Sequence, residues 1–149
     1  MTEGVFKVTI AAPPEAAWSW VADLGKHPEW SPKAYRVEWL SGEPNRVGSR
    51  YRSVGWIPGD KDHENEGEIT ERTEPTRFAL RSADKGGSYE NTFDLAAGPD
   101  GTTEVTFRLR FIDMKGINTI MLPIAFPIIG KPDIRKRMQL LKEKVEGSG

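Results

Sequence analysis

Hydrophobic and polar residues alternate along most of the chain up to residue 111. The segment Val5–Ala11 places Phe6, Val8 and Ile10 on one face, which is typical of a half-buried β-strand. Between residues 35 and 111 the alternation recurs in further segments, separated by turn residues such as Pro58-Gly59 at hairpin-like intervals. Because these intervals leave no room for crossover helices, the pattern predicts one antiparallel sheet.

Two parts of the chain have a helical pattern instead. Pro13-Pro14-Glu15 is a typical helix start, and apolar residues follow at helical spacing as far as Gly25 and Pro28. Near the C-terminus, apolar residues recur on one face of an amphipathic helix: Ile134, Met138, Leu141 and Val145. The order is therefore strand, short helix, six strands and a long C-terminal helix, which predicts an α+β fold. A twisted sheet wrapped around that helix leaves a space between the two.

The segment 117–129 is apolar on every side of a helix. Each interior proline, Pro123 and Pro127, removes a backbone hydrogen bond and costs about 3 kcal/mol in a regular helix, so we expect a kink here. A sheet can cover only one side of this segment. The sides of the segment that face away from the sheet must be covered by a ligand, the loops around Trp56, a second subunit or a membrane surface. We hypothesise that the segment is a mobile gate to the space under the sheet, hinged at the prolines and Gly130.

Composition excludes several kinds of site. The 149 residues, which we interpret as one domain spanning 1–149, include no cysteine and only two histidines, His27 and His63. Thiol nucleophiles, iron–sulfur clusters, zinc–cysteine sites and histidine-rich metal sites are excluded, so we expect no metal and no cofactor. The net charge of −1 lacks the basic excess of a nucleic-acid-binding protein. An acidic run over 59–74 and a basic run over 131–146 are each interpreted as a solvated face.

Nothing in the hydrophobic pattern indicates export or membrane insertion. Lys7 and Thr9 interrupt the apolar run near the N-terminus, so no secretory signal is recognised. The segment 117–129 is too short to span a bilayer. We expect a cytoplasmic protein without an integral membrane segment, either a monomer or a weak homodimer.

Catalytic signatures are mostly missing, but several polar residues share a face with apolar ones. Asn91 lies between Tyr89 and Phe93, and His63 has the same parity as Ile69. A buried amide without a partner costs about 1–3 kcal/mol. Such residues therefore either pair within the protein or orient a ligand in a cavity, and the sequence leaves both explanations open.

The candidate ligand-binding residues are those that the alternation directs to the inner face, together with aromatic and apolar residues beside it. We assign no catalytic residue. The candidates are Trp30, Tyr35, Trp39, Tyr51, Ser53, His63, Asn65, Tyr89, Asn91, Phe93, Phe107 and Met121.

Several segments resemble one known superfamily. Residues 10–13, Ala17-Trp18 and 23–30 are similar to the opening of the polyketide cyclase/dehydrase-like branch of the START-like (SRPBCC) superfamily. Residues 101–106 resemble its penultimate turn and last strand, and residues 140–146 resemble the end of its long helix. The resemblance implies a helix-grip fold: a seven-stranded antiparallel sheet wrapped around a long C-terminal helix, with short helices after the first strand and a deep apolar cavity. Relatives bind lipids, sterols, polyketides or plant hormones, and some cyclise or dehydrate polyketides.

Three functional hypotheses follow. The first is a binding or carrier module for a small hydrophobic ligand, such as a lipid, a sterol or a polyketide-like molecule. The second is an aromatase/cyclase-like enzyme that uses His63, Asn91 and Tyr89 to orient and protonate a polyketide-like substrate. The third is a protein-interaction domain that uses the apolar segment 117–129. We favour the first, because the polar residues of the inner face are few for catalysis.

Overall fold

The computed structural model describes residues 3–31, 34–57 and 60–148. Seven antiparallel strands form one sheet in the order β1-β7-β6-β5-β4-β3-β2. This arrangement confirms the sheet predicted from the alternation. The turn expected at Pro58-Gly59 lies outside the described residues. The strands are β1 Glu3–Ile10, β2 Ala34–Ser41, β3 Arg50–Ile57, β4 Asp60–Thr73, β5 Arg77–Asp84, β6 Gly87–Ala97 and β7 Thr103–Met114.

The helices follow β1 and β7, as the sequence predicts. After β1 come α1 Pro14–Val21, a 3-10 turn Leu24–Lys26 and α2 His27–Trp30. After β7 come α3 Asn118–Ala125 and α4 Lys131–Ser148, which belong to one helical segment of 31 residues. A seven-stranded sheet that grips a long C-terminal helix confirms the predicted helix-grip fold.

The two prolines of the apolar segment change the helix without ending it. Pro127 has no N–H to donate to the preceding turn. Residues Phe126–Gly130 form a π-turn, in which the Lys131 N–H donates to the Phe126 carbonyl five residues earlier. The wider turn accommodates the lost hydrogen bond, so the helical path passes from α3 into α4.

An aromatic layer joins the sheet to the helices. The rings of Phe93 on β6 and Phe107 on β7 stack with centroids 4.6 Å apart, and Trp30 of α2 meets Phe93 edge-on at 6.1 Å. Burial of each such side chain contributes about 1.5–3 kcal/mol to folding. The stripe of α4 predicted from the sequence completes the core, with all four members buried: Ile134, Met138, Leu141 and Val145.

The outer face of the sheet is solvated and charged. Arg52 Nη2 on β3 lies 2.9 Å from Glu66 Oε1 on β4, and Arg50 pairs with Glu68 on the same two strands. Exposed pairs of this kind contribute about 0–1 kcal/mol each. The acidic run is thus the outward face of β4, as interpreted from the sequence.

The apolar segment remains largely uncovered. Ile117 and Ile128 are 73% and 69% exposed, and α3, which is described in full, buries none of its side chains. Phe126 anchors the segment, because its ring packs edge-on against Phe111 at 5.0 Å. No helix within the described residues is long and apolar enough to cross a membrane. The gate hypothesis stays a prediction.

The exposure of α3 predicts a difference in backbone protection along the C-terminal helical segment. Amides of 118–130 should exchange with deuterium faster than those of 134–145, because few buried contacts oppose local opening. Hydrogen–deuterium exchange with mass spectrometry measures both segments in one experiment. Uniformly slow exchange, together with a dimer on size-exclusion chromatography, would show that the segment is an interface and that the gate hypothesis is wrong.

Candidate functional site

A cavity of about 410 Å³ lies between the inner face of the sheet and the helices α2 and α4. Its walls are mainly apolar, and the aromatic side chains among them include Phe93, Phe107 and Phe111. Trp56 and Ile57, each 38% exposed, also line it, so its mouth lies at the end of β3. Inward-facing strand residues that α4 does not cover therefore become the walls of a cavity.

Most of the candidate residues from the sequence line this cavity. Each lies on the inner face of a strand, where the period-2 alternation places it. The eight that the structure brings together are Tyr51, Ser53, His63, Asn65, Tyr89, Asn91, Phe93 and Phe107. Their contact with a ligand stays a prediction.

Four candidates are elsewhere or are not described. Trp30 is only 1% exposed and packs against His27, with ring centroids 4.6 Å apart, in the core behind the cavity. Trp39 contacts Tyr51 edge-on at 6.0 Å but does not line the cavity. Met121 is 45% exposed on α3. Tyr35 belongs to β2, and its side chain lies outside the described residues.

Two charged residues that line the cavity are not among the candidates chosen from the sequence. Asp84 is the last residue of β5, and Arg137 projects from α4. Arg137 follows Ile134 by three residues and precedes Leu141 by four, so it shares their side of the helix. From the sequence alone, that spacing could have indicated that Arg137 lies on the inward side of the helix. Asp84 has the same parity as Leu80 and Ser82 on β5, so the alternation along that strand was the available signal for Asp84.

A hydrogen-bonded network surrounds Asp84. His63 Nε2 donates to Asp84 Oδ2 at 2.8 Å, while Asp84 Oδ1 accepts from the Tyr89 hydroxyl at 3.0 Å and from the Gly86 N–H at 2.8 Å. Burial, followed by the negative charge of Asp84, raises the pKa of Tyr89. On the other side of the imidazole, His63 Nδ1 lies 3.4 Å from Asp60 Oδ2. The network therefore occupies the polar atoms that would otherwise serve a reaction.

Asn91 has a partner within the cavity wall. Its Nδ2 donates to Ser82 Oγ at 3.3 Å across β5 and β6. Of the two explanations left open by the sequence, pairing within the protein therefore accounts for at least one of the amide's groups. The side chain still lines the cavity, so both roles are compatible with its position.

His27 is a buried, neutral histidine at the inner end of the cavity. Its Nε2–H donates to the Val21 carbonyl at 2.8 Å. Burial lowers the pKa of His27 to about 4, outweighing the opposing effect of that hydrogen bond, and the positive charge of Arg137 lowers it further. The imidazole is therefore uncharged at neutral pH and cannot compensate a charge on a ligand.

Within residues 3–31, 34–57 and 60–148, no three histidine, aspartate or glutamate side chains are grouped so that they could hold an ion.

An antiparallel sheet that grips a C-terminal helix and leaves a cavity between them defines a START-like ligand-binding fold. The chain matches the family model described as "Polyketide cyclase / dehydrase and lipid transport" over residues 1–146. The chain therefore belongs to this family, which confirms the resemblance drawn from the sequence.

Solved structures share the fold at low sequence identity. A Thermus thermophilus protein is 20% identical with a TM-score of 0.77, and 99% of each chain is covered. A START superfamily protein from Mycobacterium smegmatis is 18% identical with a TM-score of 0.77, again over 99% of each chain. An aromatase/cyclase from a Streptomyces species is 14% identical with a TM-score of 0.79, covering 97% of this chain and 93% of its own. No curated protein matches the chain significantly.

The pKa of His27 predicts a pH dependence of stability. Between pH 6.5 and about 4 the unfolded chain binds a proton at this residue and the folded chain does not, so stability falls as the pH falls. The loss approaches about 3 kcal/mol through this residue alone. Urea unfolding at several pH values should show a weaker dependence in His27→Gln than in the wild type.

The matched control for this comparison is Val105→Ala, which weakens the core without removing a titratable group. It should retain the wild-type dependence on pH. Equal slopes for the wild type and His27→Gln would mean that this imidazole is not held neutral in the folded protein.

The Asn91–Ser82 hydrogen bond predicts the effect of an apolar replacement. Asn91→Leu removes the donor and leaves the buried Ser82 hydroxyl without it, so the variant should lose about 1–3 kcal/mol of stability. Thermal unfolding should recover part of this loss in the double variant Asn91→Leu/Ser82→Ala, because both partners are then removed. An unchanged or more stable single variant would assign the amide to ligand contact rather than to the fold.

Proposed function

We propose that this protein is a binding or carrier module for a small hydrophobic molecule, such as a lipid, a sterol or a polyketide-like compound, held between the sheet and the C-terminal helix. The observation that carries the proposal is the cavity of about 410 Å³ with its mouth at Trp56 and Ile57. Ligand sites of small molecules are typically cavities of about 300–1,000 Å³ with apolar walls and few polar groups.

The composition of the walls supports this role. Phe93, Phe107 and Phe111 offer broad apolar surfaces whose removal from water would favour binding. Ser53 and Asn65 add isolated polar groups on β3 and β4 that are suited to orienting a ligand. Affinity would come from the aromatic walls, and orientation from the polar groups.

A second candidate is aromatase/cyclase-like chemistry on a polyketide-like substrate in the same cavity. One observation favours it, namely the 2.8 Å contact of His63 with Asp84 at the cavity wall, since histidine–carboxylate pairs often serve in proton transfer. One Streptomyces structure with this fold is an aromatase/cyclase.

The hydrogen bonding within the cavity favours binding over catalysis. Both ring nitrogens of His63 face carboxylates, and the Tyr89 hydroxyl already donates to Asp84. The raised pKa of Tyr89 makes it a weaker acid than a free tyrosine. These groups would have to leave their partners before acting on a substrate. The catalytic alternative requires that Asp84→Asn abolishes turnover of a polyketide-like substrate while binding persists.

The proposal predicts a ligand-dependent rise in melting temperature. A ligand at 100 times its Kd stabilises the folded state by about 2.7 kcal/mol, which is about 5–11 °C in Tm for a domain of this size. Thermal-shift measurements with fatty acids, sterols, flavonoids and polyketides should therefore yield at least one such shift. A broad library without any shift would contradict a binding function.

A matched pair of variants locates the binding in the cavity. Leu109→Trp enlarges a side chain that lines the cavity, so it should abolish the shift by occupying the space of the ligand. Arg108→Trp introduces the same residue at the neighbouring exposed position of β7 and should keep the shift. Equal shifts in the two variants would place the ligand outside the cavity.

A further inference from the structure

The two oppositely charged residues that line the cavity differ in how their charges are satisfied. The Asp84 carboxylate accepts hydrogen bonds from the His63 ring, the Tyr89 hydroxyl and the Gly86 N–H. A carboxylate with three donors needs nothing from a ligand. The negative charge of the cavity is therefore satisfied within the protein.

The positive charge is not satisfied in the same way. The Nε atom of Arg137 is buried and has no hydrogen-bond partner, and none of the ion pairs between described residues includes Arg137. The guanidinium carbon of Arg137 lies 6.0 Å from the centroid of the Trp30 ring. A ring face attracts a cation but does not accept hydrogen bonds as a carboxylate does.

The surroundings of Arg137 offer little compensation. Burial lowers the pKa of Arg137, and the opposing effect of Asp133, one turn earlier on α4, is smaller. His27, on the packed helix α2, is neutral and already donates to Val21. Because guanidinium groups stay protonated in proteins, the cavity retains a positive charge.

We propose that Arg137 binds an acidic group of the ligand, so that the cavity takes a hydrophobic carboxylic acid rather than a neutral lipid. A carboxylate can accept two parallel N–H bonds from a guanidinium, and burial strengthens this pairing. The apolar walls at Phe93 and Phe107 would hold the body of the same molecule. This inference rests on the proposed binding function and names its ligand class.

Matched acids and amides test the ligand class. The probes are 2-naphthoate with 2-naphthamide and decanoate with decanamide, since each pair differs mainly in charge. Isothermal titration at pH 7.5 should show each acid binding at least about 10-fold more tightly than its amide. Arg137→Gln should weaken acid binding by about 10- to 100-fold, the range expected for hydrogen bonds to a charged group, with little change for the amides.

Two further variants separate charge from structure. Arg137→Lys keeps the charge but loses the planar fork, so it should retain part of the preference for acids. Arg135→Gln removes an exposed cation from the same helix and should bind all probes as the wild type does.

A measurement without ligand checks that the guanidinium is not a structural group. Removing a buried charge that lacks a partner should leave stability unchanged or raise it, so Arg137→Met should melt at or above the wild-type temperature. A fall of more than about 5 °C, which is about 1–2 kcal/mol, would show that Arg137 stabilises the fold and would overturn the inference.

The outcomes also distinguish this inference from the function on which it rests. Equal binding of acids and amides, unaffected by Arg137→Gln, would leave the binding function intact and show the acidic ligand class to be wrong. Failure of all four probes to bind the wild type would overturn the inference. If the broad library also gave no thermal shift, the proposed function would fail with it.

Discussion

The structure depends on a mismatch between the sheet and the helix that it grips. Seven strands present one continuous inner face, whereas α4 has a single apolar stripe to place against it. The stripe contacts the sheet mainly at β1, and Trp30 with His27 extends the cover over Phe93. The inner face beyond that cover has to meet solvent or a ligand. The cavity is thus a consequence of the architecture, and its chemistry depends on the residues that face it.

Polar residues can exist in such a wall because most of them are paired with one another. Asn91 pairs with Ser82, and Asp84 gathers donors from three positions. Pairing removes the cost of burying these groups and also removes their demand for a ligand. Among the charged groups of the wall, Arg137 is the exception, because its buried Nε lacks a partner. A buried group without a partner gives more information about a ligand than one whose hydrogen bonds are complete.

The sequence predicted the cavity-lining residues wherever the direction of a side chain follows from the alternation along a strand. Alternation directed Tyr51, His63 and Asn91 to the inner face, and all three line the cavity. Periodicity does not say how far the helices extend over that face, so it could not show that Trp30 lies in the core behind the cavity. It also could not show that Asp84 meets His63, since that contact joins strand residues 21 positions apart. Arg137 was hidden by an assumption that charges on an amphipathic helix face solvent.

The apolar segment 117–129 shows another structural feature that the sequence indicates only in part. Pro123 and Pro127 correctly indicated an irregular helix, but the compensating π-turn depends on the Lys131 N–H reaching the Phe126 carbonyl. Phe126 then fixes one side of the segment against Phe111, which lines the cavity. The exposed isoleucines around it do not pack in the core. This position, beside a cavity wall and largely uncovered, is what makes the gate hypothesis physically reasonable.

The proposed function requires that a hydrophobic molecule occupies the space under the sheet. Native mass spectrometry of the protein purified from its own host tests this most directly, with Leu109→Trp protein purified in parallel. We expect a small-molecule adduct on the wild type that organic solvent releases and that the variant lacks. The same adduct in the same amount on both proteins would contradict it, because the bound molecule would then lie outside the cavity.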